Sequence, residues 1–404
     1  MMFRLALKSL ISRRFSALVC IVMIALSTVA LLTVDTLYRG TQSAFGRSVA
    51  GIDLVVGAPT GDINLLLFSA FHVGAPSREL SFTTFTRWQN DPTIARAVPL
   101  MLGDSHKGFR VIGTDTSLFD HFTSLHDGQV FTSGRAFTQV FDVTLGHEVA
   151  HKLRLKVGDT LNLSHGLGNH SFQKHDARAF TVSGILAATG TPIDKTLQVS
   201  LDGIEAIHWP PAKLANLPEQ LAIGARADLT PDSLAAFYLT LDNKVRTFEV
   251  QRSINQNSAE PAQAILPGVA ITQLWSMLDW VEAALLGLGL LSALVAAIGV
   301  ASTLLGLLDK RLPEFLLLQT LGAKRRFVYT LLGIETATLV ALGMLSGVAA
   351  TLLVERTLLQ LAQNNWGLYW PLEVNWLWLG SAFIALPVVT SLFLCAICAW
   401  RLRR

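Results

Sequence analysis

The chain has 404 residues, of which 51% are hydrophobic and only 15% are charged, whereas about a quarter are charged in ordinary globular proteins. Its 32 lysines and arginines nearly balance 29 aspartates and glutamates, and the net charge of +3 excludes a strongly basic nucleic-acid-binding protein. Only three cysteines are present, which excludes a scaffold stapled by disulfides. The composition therefore predicts a membrane protein.

Four apolar runs are each long enough to cross a bilayer as a helix, which takes about 20 residues. Buried helices of soluble proteins seldom stay apolar over such a length. Only the third run contains a charged residue, Glu335. The runs are Phe15–Val34, Ala283–Leu308, Phe327–Val354 and Val374–Trp400.

Glu335 lies roughly 13 Å into the third run at 1.5 Å per residue. A carboxyl group at that depth marks either a polar contact with a neighbouring span or a path for protons or substrate. We favour the contact with a neighbouring span, or an extension of the side chain toward the interface.

The distribution of lysine and arginine sets the orientation of the spans, because cytoplasmic segments carry the excess of these residues. Twelve of them lie before the first run, between the second and third runs, and after the fourth run. The loop after the third run has one, Arg356. Both termini are therefore expected in the cytoplasm, and the roughly 240 residues between the first and second runs outside.

This outer segment alternates short β-rich runs with helical patterns, so we expect an α+β domain, in two lobes. Strands are predicted at Ile52–Gly57, Phe109–Gly113, Phe180–Leu186 and Leu197–Leu201 and, after a turn, within Leu155–Leu163. Helices are predicted at Gly146–Leu153 and Thr230–Ile254.

The predicted fold is a membrane protein with four transmembrane α-helices and a large α+β extracytoplasmic domain between the first and second spans. Its predicted segments are the cytoplasmic N-terminus (1–14), first helix (15–37), outer domain (38–279), second helix (280–308), cytoplasmic coupling segment (309–326), third helix (327–354), outer loop (355–373), fourth helix (374–400) and cytoplasmic tail (401–404).

The coupling segment reads Asp309-Lys-Arg-Leu-Pro-Glu-Phe-Leu-Leu-Leu-Gln-Thr-Leu-Gly-Ala-Lys-Arg-Arg326. Pro313 suits the first turn of a helix, Glu314 favours the N-terminus of that helix, and Gly322 suits the reversal after it. An apolar face followed by basic residues is typical of a helix on the cytoplasmic membrane surface. The segment is either a positively charged connection between spans or a docking surface for a cytoplasmic partner.

Glu314 followed by Leu321-Gly-Ala-Lys-Arg-Arg326 resembles a stretch of the FtsX-like, MacB-like permeases, which include macrolide exporters and lipoprotein-release permeases. The order of one span, large outer domain and three spans is similar, although Gln319 replaces the usual arginine and Pro313 is atypical. In that family the segment contacts a separate ATP-binding subunit. The resemblance implies ATPase-coupling residues at Arg311, Glu314, Phe315, Leu318, Leu321, Gly322, Lys324, Arg325 and Arg326.

The resemblance implies the permease subunit of an ABC-type complex in the bacterial inner membrane, not an enzyme by itself. Its expected partners are a cytoplasmic ATPase that holds ATP and Mg²⁺, a second permease copy, membrane lipid and a periplasmic adaptor or substrate protein, but no nucleic acid. The chain has no Gly-Lys dipeptide, so it lacks a P-loop and must draw energy from another polypeptide. A non-transporting scaffold that relays the state of the ATPase outward is the alternative.

His147-Glu-Val-Ala-His151 matches the H-E-x-x-H pattern of zinc hydrolases. The predicted helix is short and no further ligand follows in a recognisable context, so we disfavour a membrane-anchored zinc hydrolase. A non-catalytic metal site in the outer domain, suited to a metal-linked permease, stays an alternative to solvated surface histidines. Its candidate ligands are His147, His151, His165, His175 and His208, with His170 nearby in the sequence.

Overall fold

The computed structural model describes residues 8, 10–123, 130–165, 178–218, 220–257, 259–320 and 325–366. These residues belong to two compact units. One unit contains Gln42–Leu278, and the other contains the apolar helical segments that precede and follow it.

Helices and strands alternate along the described chain. In order they are α1 (Arg14–Ser48), β1 (Leu54–Gly57), α2 (Asp62–Ala70), β2 (Leu80–Ser81), α3 (Phe82–Gln89), β3 (Ile94–His106), β4 (Phe109–Thr114), α4 (Ser117–Thr123), β5 (Phe131–Gly134), β6 (Asp142–Leu145), α5 (His147–Leu153), β7 (Thr160–Leu161), β8 (Ser164–His165), β9 (Phe180–Leu186), β10 (Thr196–Ser200), α6 (Leu201–Ile207), α7 (Pro211–Ala215), β11 (Ser233–Leu234), β12 (Ala236–Leu241), α8 (Thr247–Asn255), β13 (Gln263–Ile265), α9 (Pro267–Thr320) and α10 (Arg325–Trp366).

Three helices of the described residues contain stretches long and apolar enough to cross a membrane. These stretches are Arg14–Ser48 in α1, Pro267–Gly299 in α9 and Gly333–Thr357 in α10. They overlap the first three predicted spans, although the second and third stretches do not have the predicted bounds. The fourth predicted span, residues 374–400, lies outside the described residues, so the total of four stays a prediction.

The outer domain is built on one mixed sheet of eleven strands. Its main order is β13-β1-β12-β3-β4-β10-β6-β9-β5, while β7 pairs with β9 and β8 pairs with β3. The long strand β3 pairs with β12 and with β4, so it belongs to both halves of the sheet. A separate two-stranded ladder joins β2 to β11.

Two hydrophobic cores pack on this sheet. One core contains Phe85, Leu54 and Phe237, which join α3 to strands β1 and β12. The other contains Val143 and Phe180, from β6 and β9, together with residues of α5 and α6. Complete burial of each such side chain stabilises the fold by about 1.5–3 kcal/mol, so the two cores hold the opposite halves of the sheet.

Most of the predicted outer-domain elements are confirmed, since strands and a helix form at five of the predicted places. The predicted helix over Thr230–Ile254 is wrong in its first half, where β11 and β12 form instead. Strand β12 lies between β1 and β3 and is buried on both faces. A strand covered on both faces reads as a continuous apolar run, which periodicity alone does not distinguish from a buried helix.

The predicted start of a new helix at Pro313 is also wrong, because α9 continues through this residue to Thr320. Proline inside a helix removes the hydrogen bond to the carbonyl four residues earlier, here that of Asp309. Leucines flank the position on both sides, in Leu307-Leu308 and Leu316-Leu317, and favour continuation of the helix.

Helix α1 packs closely against α10 at the pair Gly343-x-x-x-Gly347. A Cβ atom on Gly343 would lie 2.6 Å from the Cβ of Ile24. A Cβ atom on Gly347 would lie 2.7 Å from the Cβ of Thr28 and 2.9 Å from the carbonyl oxygen of Ala25. The two helices run parallel here, and only glycine permits this approach of one backbone to the other.

We expect Gly347→Ala to push α1 and α10 apart and to destabilise their packing by about 1–3 kcal/mol, the usual cost of overpacking. The measurement is the thermal unfolding midpoint of the full-length protein in detergent. Gly287→Ala on α9 is the matched control, since no described atom lies within 4 Å of the added methyl group. An equal loss in both variants would contradict the packing role of Gly347.

Candidate functional site

The predicted ATPase-coupling residues lie near the end of α9 and the start of α10. Helix α9 contains Arg311, Glu314, Phe315 and Leu318, and helix α10 begins with Arg325 and Arg326. Leu321, Gly322 and Lys324 lie outside the described residues.

The side chains that can be described at these helix ends are open to a partner. Leu317 is 63% exposed, and Thr320 and Arg326 are exposed as well. An exposed leucine offers apolar area to a partner, and an exposed arginine offers positive charge. The coupling surface remains a prediction, supported by this exposure.

Two carboxyl groups are buried on α10. Glu335 is only 7% exposed and lies beside the buried Thr336, which fits the predicted contact with a neighbouring span better than a lipid-facing position. Glu355 was expected in the outer loop, but it lies within α10 and is 9% exposed. Helix α10 continues beyond the predicted end of the third span to Trp366.

The outer-domain histidines proposed as metal ligands do not come together within the described part of the chain, where no group of three His, Cys, Asp or Glu could hold a metal ion. His147 and His151 lie on α5, and His151 is exposed. His208 lies 3.7 Å, Nε2 to Oδ2, from the buried Asp104. His165 is in β8. His170 and His175 lie outside the described residues.

The glutamate of the H-E-x-x-H pattern is committed to a structural role. Glu148 is buried, and its Oε1 lies 2.5 Å from Nζ of Lys152. Its Oε2 lies 3.8 Å from Nζ of Lys195. Burial raises the pKa of the nearby Asp194 to about 7, and the charge of Glu148 contributes in the same direction. Two lysines thus neutralise Glu148, which is unlike a glutamate that activates a zinc-bound water.

Sequence reasoning treated the histidines as one surface set and missed three that lie inside the domain. Burial lowers the pKa of His106, whose Nδ1 lies 2.6 Å from the carbonyl oxygen of Asn162. Burial also lowers the pKa of His72 and of His121 to about 4, and the charges of Arg110 and Arg96 add to the respective effects. No local signal separates these histidines from the exposed ones, because their burial depends on long-range packing.

His72 and His121 line a small cavity where α1 meets the outer domain. The cavity measures about 20 Å³, enough for one water molecule. Ser48, the last residue of α1, lines it together with Tyr238 of β12. His72 adopts a left-handed backbone conformation with φ of 54°, and its Nδ1 has no hydrogen-bond partner among the described residues.

The lowered pKa of His121 makes the outer domain sensitive to acid. The folded state favours the neutral ring, so stability falls as the pH drops below the unfolded value of 6.5 toward about 4. Between pH 7 and pH 5 we expect His121 to account for a loss of about 2 kcal/mol, and His121→Gln to lack that loss. Chemical denaturation followed by tryptophan fluorescence measures it. The exposed His151→Gln is the control, and an acid loss unchanged in His121→Gln would contradict the assignment.

We expect Glu148→Gln to destabilise the outer domain by about 1–3 kcal/mol, because it removes the buried charge that faces Lys152 and Lys195. Denaturation curves and metal analysis of the same samples measure the effect. Glu249→Gln, whose carboxylate is exposed in its pair with Arg246, should leave stability nearly unchanged. Loss of stoichiometric zinc with unchanged stability would instead support the hydrolase alternative.

Two protein-family models match this chain, one over its outer domain and one over its C-terminal part. Residues 17–257 match the MacB-like periplasmic core domain, and residues 286–404 match the FtsX-like permease C-terminal domain. No curated protein matches the chain.

Two solved structures are similar to the outer part of the chain. The periplasmic region of MacB from Actinobacillus actinomycetemcomitans is 10% identical, with 56% of this chain and 95% of that chain covered and a TM-score of 0.36. The extracellular domain of the noncanonic ABC-type transporter YknZ from Gram-positive bacteria is 10% identical, with 52% and 98% covered and a TM-score of 0.31. The family assignment of the chain depends on the two family models.

The MacB-like periplasmic core model alone spans more than half of the chain, and the FtsX-like model covers its C-terminal part. Permeases of this kind are non-catalytic transmembrane subunits of the bacterial inner membrane that work with a cytoplasmic ABC ATPase. The chain belongs to the FtsX-like family of ABC transporter permeases with a MacB-like periplasmic core domain.

Proposed function

We propose that this permease transmits movement from a separate cytoplasmic ATPase to its outer domain, in order to export a substrate or extract it from the outer leaflet. Both termini and the coupling segment lie in the cytoplasm in this proposal, and ATP and Mg²⁺ bind the partner subunit rather than this chain. The observation that carries it is the continuity of α9, which contains residues of both the outer domain and the coupling segment.

Helix α9 has 54 residues and is therefore roughly 80 Å long at 1.5 Å per residue. It begins at Pro267, directly after strand β13 of the outer sheet, and it includes Glu314 before ending at Thr320. In this proposal the continuous hydrogen-bonded helix passes a displacement along its own length. A push near Glu314 would thus displace the part of the helix that enters the outer domain.

Each part of the coupling segment has a role in this proposal. The carboxylate of Glu314 binds a basic side chain of the ATPase, and the apolar Phe315, Leu318 and Leu321 fill a groove on its surface. Arg311 and the basic residues from Lys324 onward contact acidic side chains of the ATPase or lipid headgroups. Gly322, which lies outside the described residues, is the residue type that the sequence predicts for a reversal after the helix.

A second copy of the chain completes the complex in this proposal. Helix α9 exposes many large apolar side chains along its membrane-crossing part, among them Leu288, Leu291, Leu294 and Ile298. Lipid covers such a surface in part, and pairing of two copies through their spans covers the rest. A periplasmic adaptor has no contact among the described residues that supports a role for it.

The non-transporting scaffold shares the same cytoplasmic contacts, so assembly with an ATPase does not distinguish it from a transporter. Movement or extraction of a substrate by the reconstituted complex supports the transporter, and ATP turnover without any such movement supports the scaffold. The metal-linked alternative has no observation in its favour within the described residues.

We expect Glu314→Lys to weaken binding of the cytoplasmic ATPase about ten-fold or more, since it reverses a charge at the docking surface. Co-purification of the ATPase with the full-length chain, and the ATP turnover of the complex, measure the effect. Glu249→Lys, an equal charge reversal on the exposed surface of α8, is the matched control and should leave both unchanged.

Gly322→Leu extends the same test to the reversal between the two helices. Loss of assembly in either variant with retention in Glu249→Lys supports the coupling surface. Normal assembly and ATP turnover in both Glu314→Lys and Gly322→Leu would overturn it.

A further inference from the structure

Three aromatic rings meet where α1 and α9 join the outer domain. The ring of Phe45, near the end of α1, lies 4.4 Å from the ring of Phe71, measured between centroids. Its other neighbour is Trp275 of α9, at 5.5 Å and an interplanar angle of 66°. Phe45 therefore touches both the second long helix and the body of the domain, and we call these three residues the ring cluster.

The ring cluster is fixed to the centre of the sheet through Phe71. Phe71 is 7% exposed and directly follows α2, which packs against β1. Two residues earlier, the carbonyl oxygen of Ser69 accepts a hydrogen bond of 2.6 Å from the hydroxyl of Tyr238. Tyr238 lies in β12, between β1 and β3. A displacement of Phe71 thus reaches the central strands through packed and hydrogen-bonded groups.

The α9 side of the ring cluster is equally well packed. Ala270, Ile271 and Trp275 are all buried, so the first turns of α9 present one face to the domain. The strand before α9 is paired with β1, with Ile265 opposite Val55. Trp275 is therefore a buried residue of a helix that follows a strand paired with β1, the strand after α1.

The backbone link between α1 and the sheet is a short turn. Helix α1 ends at Ser48, and Gly51 has a left-handed φ of 81° before β1 begins at Leu54. The hydroxyl of Thr240 donates a hydrogen bond to the carbonyl oxygen of Gly51 in this turn. Phe45 lies about one helical turn before it, and its ring contacts add to the backbone link.

We propose that the three residues of the ring cluster, Phe45, Phe71 and Trp275, are positioning residues for coupling. They lock α1 and α9 to the outer domain, so that movement of the helices displaces the sheet. The inference rests on the proposed function, since it names the joint through which that movement passes. Aromatic side chains suit this role because a large rigid surface in van der Waals contact transmits displacement with little rearrangement.

Hydrogen exchange of the full-length protein, bound to the ATPase that co-purifies with it, tests the joint. Exchange is compared with and without Mg²⁺ and a non-hydrolysable ATP analogue. In the unmodified chain we expect changes both in the coupling end of α9, residues 309–320, and in α2 and β1 of the outer domain. Phe45→Ala should keep the change in α9 and lose more than about half of the change in α2 and β1.

Phe248→Ala is the matched control, since Phe248 is an aromatic residue of the outer domain that is 70% exposed and lies outside the ring cluster. It should keep both changes. Exchange in β12 without nucleotide reports whether each variant is folded. If Phe45→Ala raises exchange there, Phe45→Leu replaces it, because leucine keeps apolar volume but does not reach both neighbouring rings.

The outcomes separate the joint from the wider proposal. No nucleotide-dependent change in α9 of the unmodified chain would overturn the proposed function. A change in α9 with a full outer-domain response in folded Phe45→Ala or Phe45→Leu would overturn only the joint. Trp275→Phe keeps an aromatic ring on the α9 side of the cluster. Its exchange changes should match those of the unmodified chain, a result that a purely structural role would not require.

Discussion

Peptide groups inside lipid find hydrogen-bond partners only within their own helix, and this constraint governs the arrangement of the whole chain. It turns the apolar stretches of α1, α9 and α10 into long unbroken helices. Strand β1 of the outer sheet follows α1, and strand β13 precedes α9. The strands concerned, β1 and β13, are neighbours. The strands that follow α1 and precede α9 therefore lie side by side at one end of the sheet order.

The sheet is suited to carry an effect from that edge to the rest of the domain. Strand β3 has 13 residues and pairs with β12 on one side and β4 on the other. It therefore joins the part of the sheet that contains β1 to the part that contains β6, β9 and β10. Two separate cores stabilise these parts, and their backbones share a single hydrogen-bonded network.

Sequence reasoning succeeded where a local pattern determines local structure. Phe180–Leu186 alternates and is flanked by turn residues, and it forms β9. Gly343 and Gly347, where α1 approaches α10, have the four-residue spacing that is typical of packed membrane helices. The same reasoning failed for Ala236–Leu241, because its neighbours in the sheet, β1 and β3, lie more than a hundred residues earlier in the chain. Burial on both faces removes the alternation that would have indicated a strand.

The ring cluster illustrates a site that no sequence pattern could reveal. Phe45 and Trp275 are 230 residues apart in the chain, and each fits the apolar character of its own helix. Their meeting depends on the pairing of β1 with β13, which a single sequence does not show. A motif such as the predicted coupling segment is recognisable because its residues stand together in the sequence. The residues of the ring cluster come from separate elements, α1, the end of α2 and α9. Their role follows from the contacts that they make between these elements.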